Sequence, residues 1–122
     1  MYLGKLNRTQ KIFTAPQWTK LLANHNVNKD GGDTVDHKPV VKLFDPMGAG
    51  TWLLTECDED GLAFGLCDLG FGTPEVGYVS MDEICQVQRK RMLGIERDLH
   101  FKATKTLSEY ADEAREKGRI VA

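Results

Sequence analysis

Apolar residues recur along this chain with two different periods, and the changes of period divide it into elements. From residue 40 to 79 the apolar runs have strand length: 40–44, 51–57, 62–69 and 76–79. They are separated by DPMGAG, DEDG and GFGTPE, whose glycines permit backbone angles closed to other residues. The pattern predicts an antiparallel meander with a tight hairpin at DEDG. A fifth strand, 95–101, is predicted after Gly94. Helical spacing appears elsewhere. Thr14 and Gln17 have the spacing of a capping box, Pro16 is tolerated in a first turn, and Trp18, Leu21 and Leu22 follow at i, i+3, i+4, which predicts a helix over about 15–24. Ser80 and Glu83 make a second box, before Met81, Ile84, Cys85 and Gln88 on one side of a helix ending near Met92. Thr106 and Glu109 make a third, followed by Leu107, Tyr110, Ala111 and Ala114, with Gly118 where a C-cap belongs.

These elements predict one α+β domain over 1–122: an antiparallel meander sheet of about five strands with helices packed on one face. Residues 25–39 have no apolar period and are rich in Asn, Asp and Gly, so they read as a long mobile loop. No internal repeat interrupts the single-domain reading.

Composition narrows the classes. A chain of 122 residues, 41% hydrophobic and 28% charged, can bury one sufficient core without disulfides or a structural metal. Cys57, Cys67 and Cys85 are odd in number and form no CxxC pair, which reads as reduced thiols in a cytoplasmic protein. No apolar run approaches the length of a membrane span, and the first residues lack a signal-peptide core. A net charge of −2 argues against direct nucleic-acid binding, since the only short basic cluster is Arg89, Lys90 and Arg91.

The stretches LFDPMGAGTWLLTE, FGLCDLGFGTPEVGYVS and GIERDLHF, with the helix TLSEYADEAREKGRI, carry a resemblance. Over roughly the last two thirds of its length the chain resembles domain-of-unknown-function family 2958. That resemblance implies a setting on plasmids, phages and other mobile elements, and it implies no particular chemistry.

Candidate chemistry must therefore come from the residues. Strand alternation over GIERDLHF would place Ile95, Arg97, Leu99 and Phe101 on one face and Glu96, Asp98 and His100 on the other, where two carboxylates and an imidazole could hold a metal or act as acid and base. A solvated outer face is the competing and favoured reading. Arg97 interrupts an apolar face, as Asp68 does beside Leu62, Phe64 and Leu66, so the two are candidate partners in a buried ion pair. Alternatively, Arg97 would bind a carboxylate or phosphate. DPMGAGT lacks the lysine of a phosphate loop and precedes a strand, so it reads as a turn. Glu56, Asp58, Glu59 and Asp60 crowd the hairpin without the rest of a calcium loop. Cys67 and Cys85 read as small buried hydrophobes. Phe71, between two glycines, is either an exposed anchor for a partner or a plug in its own turn.

Two functions follow. The first is a non-catalytic protein-binding accessory factor of a mobile element, an inhibitor of a host defence nuclease of the CRISPR or restriction kind, contacting its partner through Phe71, Glu75, Asp58, Asp60 and Arg97. It calls for a protein partner, no cofactor and no metal, and is compatible with monomer or dimer. The alternative is a small metal-dependent enzyme using Glu96, Asp98 and His100.

Overall fold

Side chains a few residues apart set the helix starts. Gln17 N–H donates to Thr14 Oγ1 at 3.2 Å and Thr14 N–H donates to Gln17 Oε1 at 2.9 Å, closing the box that opens α1 (Ala15–Lys29). Glu83 N–H reaches Ser80 Oγ at 3.4 Å at the start of α2 (Met81–Lys90). Thr106 N–H donates to Glu109 Oε1 at 2.9 Å at the start of α3 (Leu107–Lys117), and Gly118, left-handed at φ 75°, ends it. The structure, a computed structural model, describes residues 12–29, 34–90 and 94–122. The end of α2 at Met92 expected from the sequence lies outside them.

The first helix is longer than its apolar spacing predicts. It runs to Lys29 because its polar residues have specific partners. Asn24 is buried and donates from Nδ2 to the Thr55 carbonyl at 2.9 Å. Asn28 binds both main-chain groups of Val35, and its Nδ2 also donates to Glu56 Oε2 at 2.8 Å. Of the loop expected over 25–39, residues 25–29 are accordingly helical. Its described remainder is tied down: Leu107 N–H donates to the His37 carbonyl, and Ser108 donates to the Asp36 carboxylate from both its N–H and its hydroxyl.

The strands β1 (Val41–Phe44), β2 (Thr51–Cys57), β3 (Leu62–Asp68), β4 (Glu75–Ser80) and β5 (Glu96–Arg97) form one antiparallel sheet in the order β4-β3-β2-β1-β5. The α+β meander expected from the sequence is present. The fifth strand is much shorter than expected, because Asp98 Oδ1 accepts the His100 N–H at 2.9 Å and folds the chain into a turn.

Both faces of the sheet are covered. Trp52 and Leu54 of β2 pack with Val41, Leu43 and the α1 residues Trp18 and Leu21, and α2 adds Ile84 and Cys85 to the same cluster. Leu53, between them, points the other way, to Leu66 and to Leu107, Tyr110, Ala111 and Ala114 of α3. The single helical face expected from the sequence holds for α1 and α2, while α3 lies opposite. The physical reason is the run WLL in β2, apolar on both sides as a strand buried between two layers must be. A bulge between Leu54 and Glu56 interrupts β2, leaving Thr55 as the extra residue. Beyond it Cys57 joins the cluster under α1, and Glu56 stands opposite Phe64.

Candidate functional site

The clearest exposed apolar surface lies along β4, the terminal strand of the sheet. The register sets Tyr78 opposite Phe64 and Val76 opposite Leu66, so Val76 and Tyr78 share one face. Their neighbours Leu66 and Phe64 are progressively less covered because α3 ends its coverage near Leu66. Leu66 is buried, Phe64 is half-buried, and Leu62 is 45% exposed. Tyr78 therefore stacks edge-on against Phe64, ring centres 5.3 Å apart, yet remains 74% exposed. At the other end of β4, Leu69 stands just before the GFGTPE turn and Phe71 on it, with Phe71 83% exposed. Phe71 is therefore not a plug in its own turn, since its ring is in solvent.

Three hollows meet on this surface. One of about 290 Å³ is lined by Leu69, Phe71, Val76 and Tyr78; one of about 240 Å³ lies between Val35, Phe64, Val76 and Leu107; one of about 180 Å³ lies between His25, Leu62, Phe64 and Tyr78. Each pair shares a wall residue: Val76, Phe64 or Tyr78. The first is also lined by Cys67, Glu75 and Gly77, which the register sets on the other face of β4 from Val76 and Tyr78.

Of the residues expected to bind, Phe71 and Glu75 lie here, Glu75 exposed on the face opposite Val76. Asp60 is exposed at the tip of the nearby hairpin. Asp58 is occupied in building that hairpin, its Oδ1 accepting the Asp60 and Leu62 N–H groups at 2.9 Å each. Arg97 is elsewhere. It sits on β5, at the opposite edge of the sheet, beside buried Leu43.

The proposed pair of Arg97 with Asp68 is not formed. Arg97 stands opposite Leu43 and so lies on the Trp52 face, whereas Asp68 stands opposite Thr51 on the Leu53 face. Asp68 is buried and bound by main-chain donors, Gly70 N–H at 2.8 Å and Ile120 N–H at 3.0 Å. Sequence period detected the anomaly at Asp68. Its partner, 52 residues away, left no local signal.

The Glu96, Asp98 and His100 face also differs from expectation. Alternation carries through Asp98, whose N–H donates to the Lys42 carbonyl and whose carboxylate lies 3.3 Å from Lys42 Nζ. The hydrogen bond from the His100 N–H, and the Lys42 ammonium beside it, hold the Asp98 carboxyl below its ordinary value. His100 lies beyond the turn and is exposed, out of strand alternation with the two carboxylates. Among the described residues no three His, Cys, Asp or Glu side chains gather as a metal site. The glycine turn DPMGAG is built by Asp45: Oδ1 accepts the Met47 N–H at 2.9 Å, and its N–H donates to the Gly50 carbonyl. Cys57 and Cys85 are buried, as the latter was expected to be, while Cys67 is half-buried. Burial, with Asp58 adding to it, pushes the Cys57 thiol up to about 12, the protonated and unreactive form.

No described helix is long and apolar enough to cross a membrane. No curated protein and no solved structure matches the chain. One family does, over residues 12–121 and thus over nearly the whole length rather than the last two thirds. By that match the chain belongs to the family described as "Protein of unknown function (DUF2958)".

Proposed function

We propose that this chain is a small, non-catalytic protein-binding factor that acts by contact, through the surface of Leu69, Phe71, Val76 and Tyr78. The observation that carries the reading is the exposure of two aromatic rings and two aliphatic side chains together beside a terminal strand. Isolated exposed apolar residues need no explanation, but a contiguous patch bounded by polar positions is the usual mark of an interaction surface. Aromatic rings are also the side chains that most often anchor one. The mobile-element setting implied by the family resemblance makes the partner class a host defence nuclease, which the factor would blunt as an accessory of the element. A slightly acidic charge of −2 supports contact with a protein whose own substrate is nucleic acid.

The test is affinity capture from the native host with wild type, Phe71→Ala and Tyr78→Ala side by side. The expected result is a partner retained by wild type and weakened by each substitution, Phe71→Ala costing about 2 kcal/mol or more of binding. The thermal midpoint of Phe71→Ala should stay near that of wild type, since its ring is 83% exposed. A partner held equally well by all three proteins would remove this surface from the reading.

A further inference from the structure

The direction of each main-chain group on β4 follows from the register. Met81 N–H donates to the Gly61 carbonyl at 2.9 Å, and the pairing then runs without a shift from Leu62 and Ser80 to Cys67 and Glu75. Bonded and non-bonded pairs alternate along an antiparallel ladder. Val79, Gly77 and Glu75 therefore turn their N–H and C=O toward β3, while Ser80, Tyr78 and Val76 turn theirs outward. Among the described residues β4 ends the sheet on that side.

Natural sheets guard such an edge with lysine, proline, a bulge or a covering element. The strand EVGYVS carries a single charge, at Glu75, and neither lysine nor proline. Gly77 has open space where a Cβ would stand, on the face of β4 opposite Val76 and Tyr78, so nothing packs over the strand there. Both ends of the strand are acidic. Exposed Glu75 begins it, exposed Asp82 and Glu83 follow it, and exposed Glu59 and Asp60 stand on the neighbouring hairpin. This distribution decides between occupants. A second copy paired antiparallel would set Glu75 of each chain near Asp82 and Glu83 of the other, a like-charge arrangement that disfavours pairing. A cationic strand would find opposite charge at both ends.

The geometry points to strand addition: β4 accepts an extended basic and apolar segment of a partner protein as an added strand. The segment's main chain bonds to Val76 and Tyr78, its alternate apolar side chains cover Val76, Tyr78 and Phe71, and its lysines or arginines reach the acidic ends. This deepens the protein-binding reading and rests on it.

The probe is a synthetic peptide alternating lysine with valine, about seven residues long, added to the intact chain while amide hydrogen exchange is read residue by residue. The expected result is exchange slowed at the Val76 and Tyr78 N–H groups by roughly tenfold or more, with Gly77 and Val79 unchanged. Binding should fall with added salt, and the peptide with glutamate in place of lysine should leave exchange unaltered. Val76→Pro removes an outward N–H and no bond to β3. It should lose the peptide at least about tenfold, while Val76→Ala, which keeps the N–H, should lose far less. Unchanged protection at Gly77 and Val79 in the proline variant verifies that the sheet has held. Equal binding by the proline and alanine variants, with loss in Phe71→Ala, would overturn strand addition and leave the contact surface standing. Peptide binding untouched in all of these variants, or no protection on β4 at all, would overturn the strand and leave the surface to be judged by the capture experiment. Protection at Val76 and Tyr78 that rises with protein concentration alone would identify a second copy as the occupant and overturn the basic segment.

Discussion

Asp68 places a carboxylate in the apolar layer under α3 and uses both oxygens on main-chain amides, one of them the buried N–H of Ile120. Asp68→Ala leaves that N–H without its acceptor, so a loss of about 1–3 kcal/mol is expected in denaturant unfolding. Arg97 lies on the other face of the sheet, and the double substitution of Asp68 and Arg97 should be additive within about 0.5 kcal/mol. Coupling much larger than that would contradict the assignment of faces. Along the same strand, Leu66 is fully buried and Phe64 half-buried. Leu53→Ala, in the core opposite Leu66, is expected to cost about 2–5 kcal/mol. Phe64→Ala should cost roughly half of the ~3–5 kcal/mol typical of a fully enclosed ring. The alternation in LAFGLCD identifies the inward residues, but how far along a strand the cover extends depends on where a helix docks, which alternation does not encode.

The start of α3 joins two segments distant in sequence. Its own box, Thr106 with Glu109, was legible because capping acts over three residues. The Asp36 carboxylate, which receives the Ser108 N–H and hydroxyl, was not, since those residues are 72 apart. Burial works to raise the Asp36 carboxyl, yet the hydrogen bonds of Ser108 outweigh it and the group lies below its ordinary 3.8. The sign follows from linkage. A depressed folded value means that the contribution of Asp36 is fully present above pH 3.8 and is lost as pH falls through the lower folded value. Asp36→Ala should remove about 0.5–2 kcal/mol near neutrality, and the gap between variant and wild type should close in acid below pH 3.8. A gap independent of pH in thermal scans would assign the loss to packing of the 34–39 segment instead. The end of α1 escaped the sequence for the same reason as Asp36: Asn24 and Asn28 resemble loop residues until Thr55, Val35 and Glu56 are brought beside them.

At the scale of the molecule, helices cover both faces of the middle of the sheet and leave its margins exposed, and here the two margins differ. One ends in β5, two residues long, with Lys42 and Asp98 paired beside it; the other is the six-residue β4 with Tyr78 and Val76 in solvent. Which strand lies outermost is a property of topology, so the exposed apolar surface proposed to bind was legible only as Phe71 and Glu75, while Tyr78 and Val76 read as ordinary strand residues.

The bulge at Thr55 acts on this arrangement as a change of parity. Before it, even-numbered residues of β2 belong to the α1 side; after it, odd-numbered Cys57 does. Without the shift, Glu56 would occupy the place that Cys57 fills, and a carboxylate would enter the larger core. The identity of Thr55 should consequently matter little beside the phase of the residues that follow it. Thr55→Val, which removes the hydroxyl contact to the Phe64 carbonyl at 3.3 Å, should cost about 1 kcal/mol in thermal or denaturant unfolding. Deletion of Thr55 removes the extra residue itself, so Leu54, Glu56 and Cys57 would alternate without a break on the sides they already hold, and cooperative unfolding should survive at a lower midpoint, since Asn24 loses the Thr55 carbonyl. A deletion variant without a cooperative transition would show that the bulge does more than set the phase of the residues beyond it.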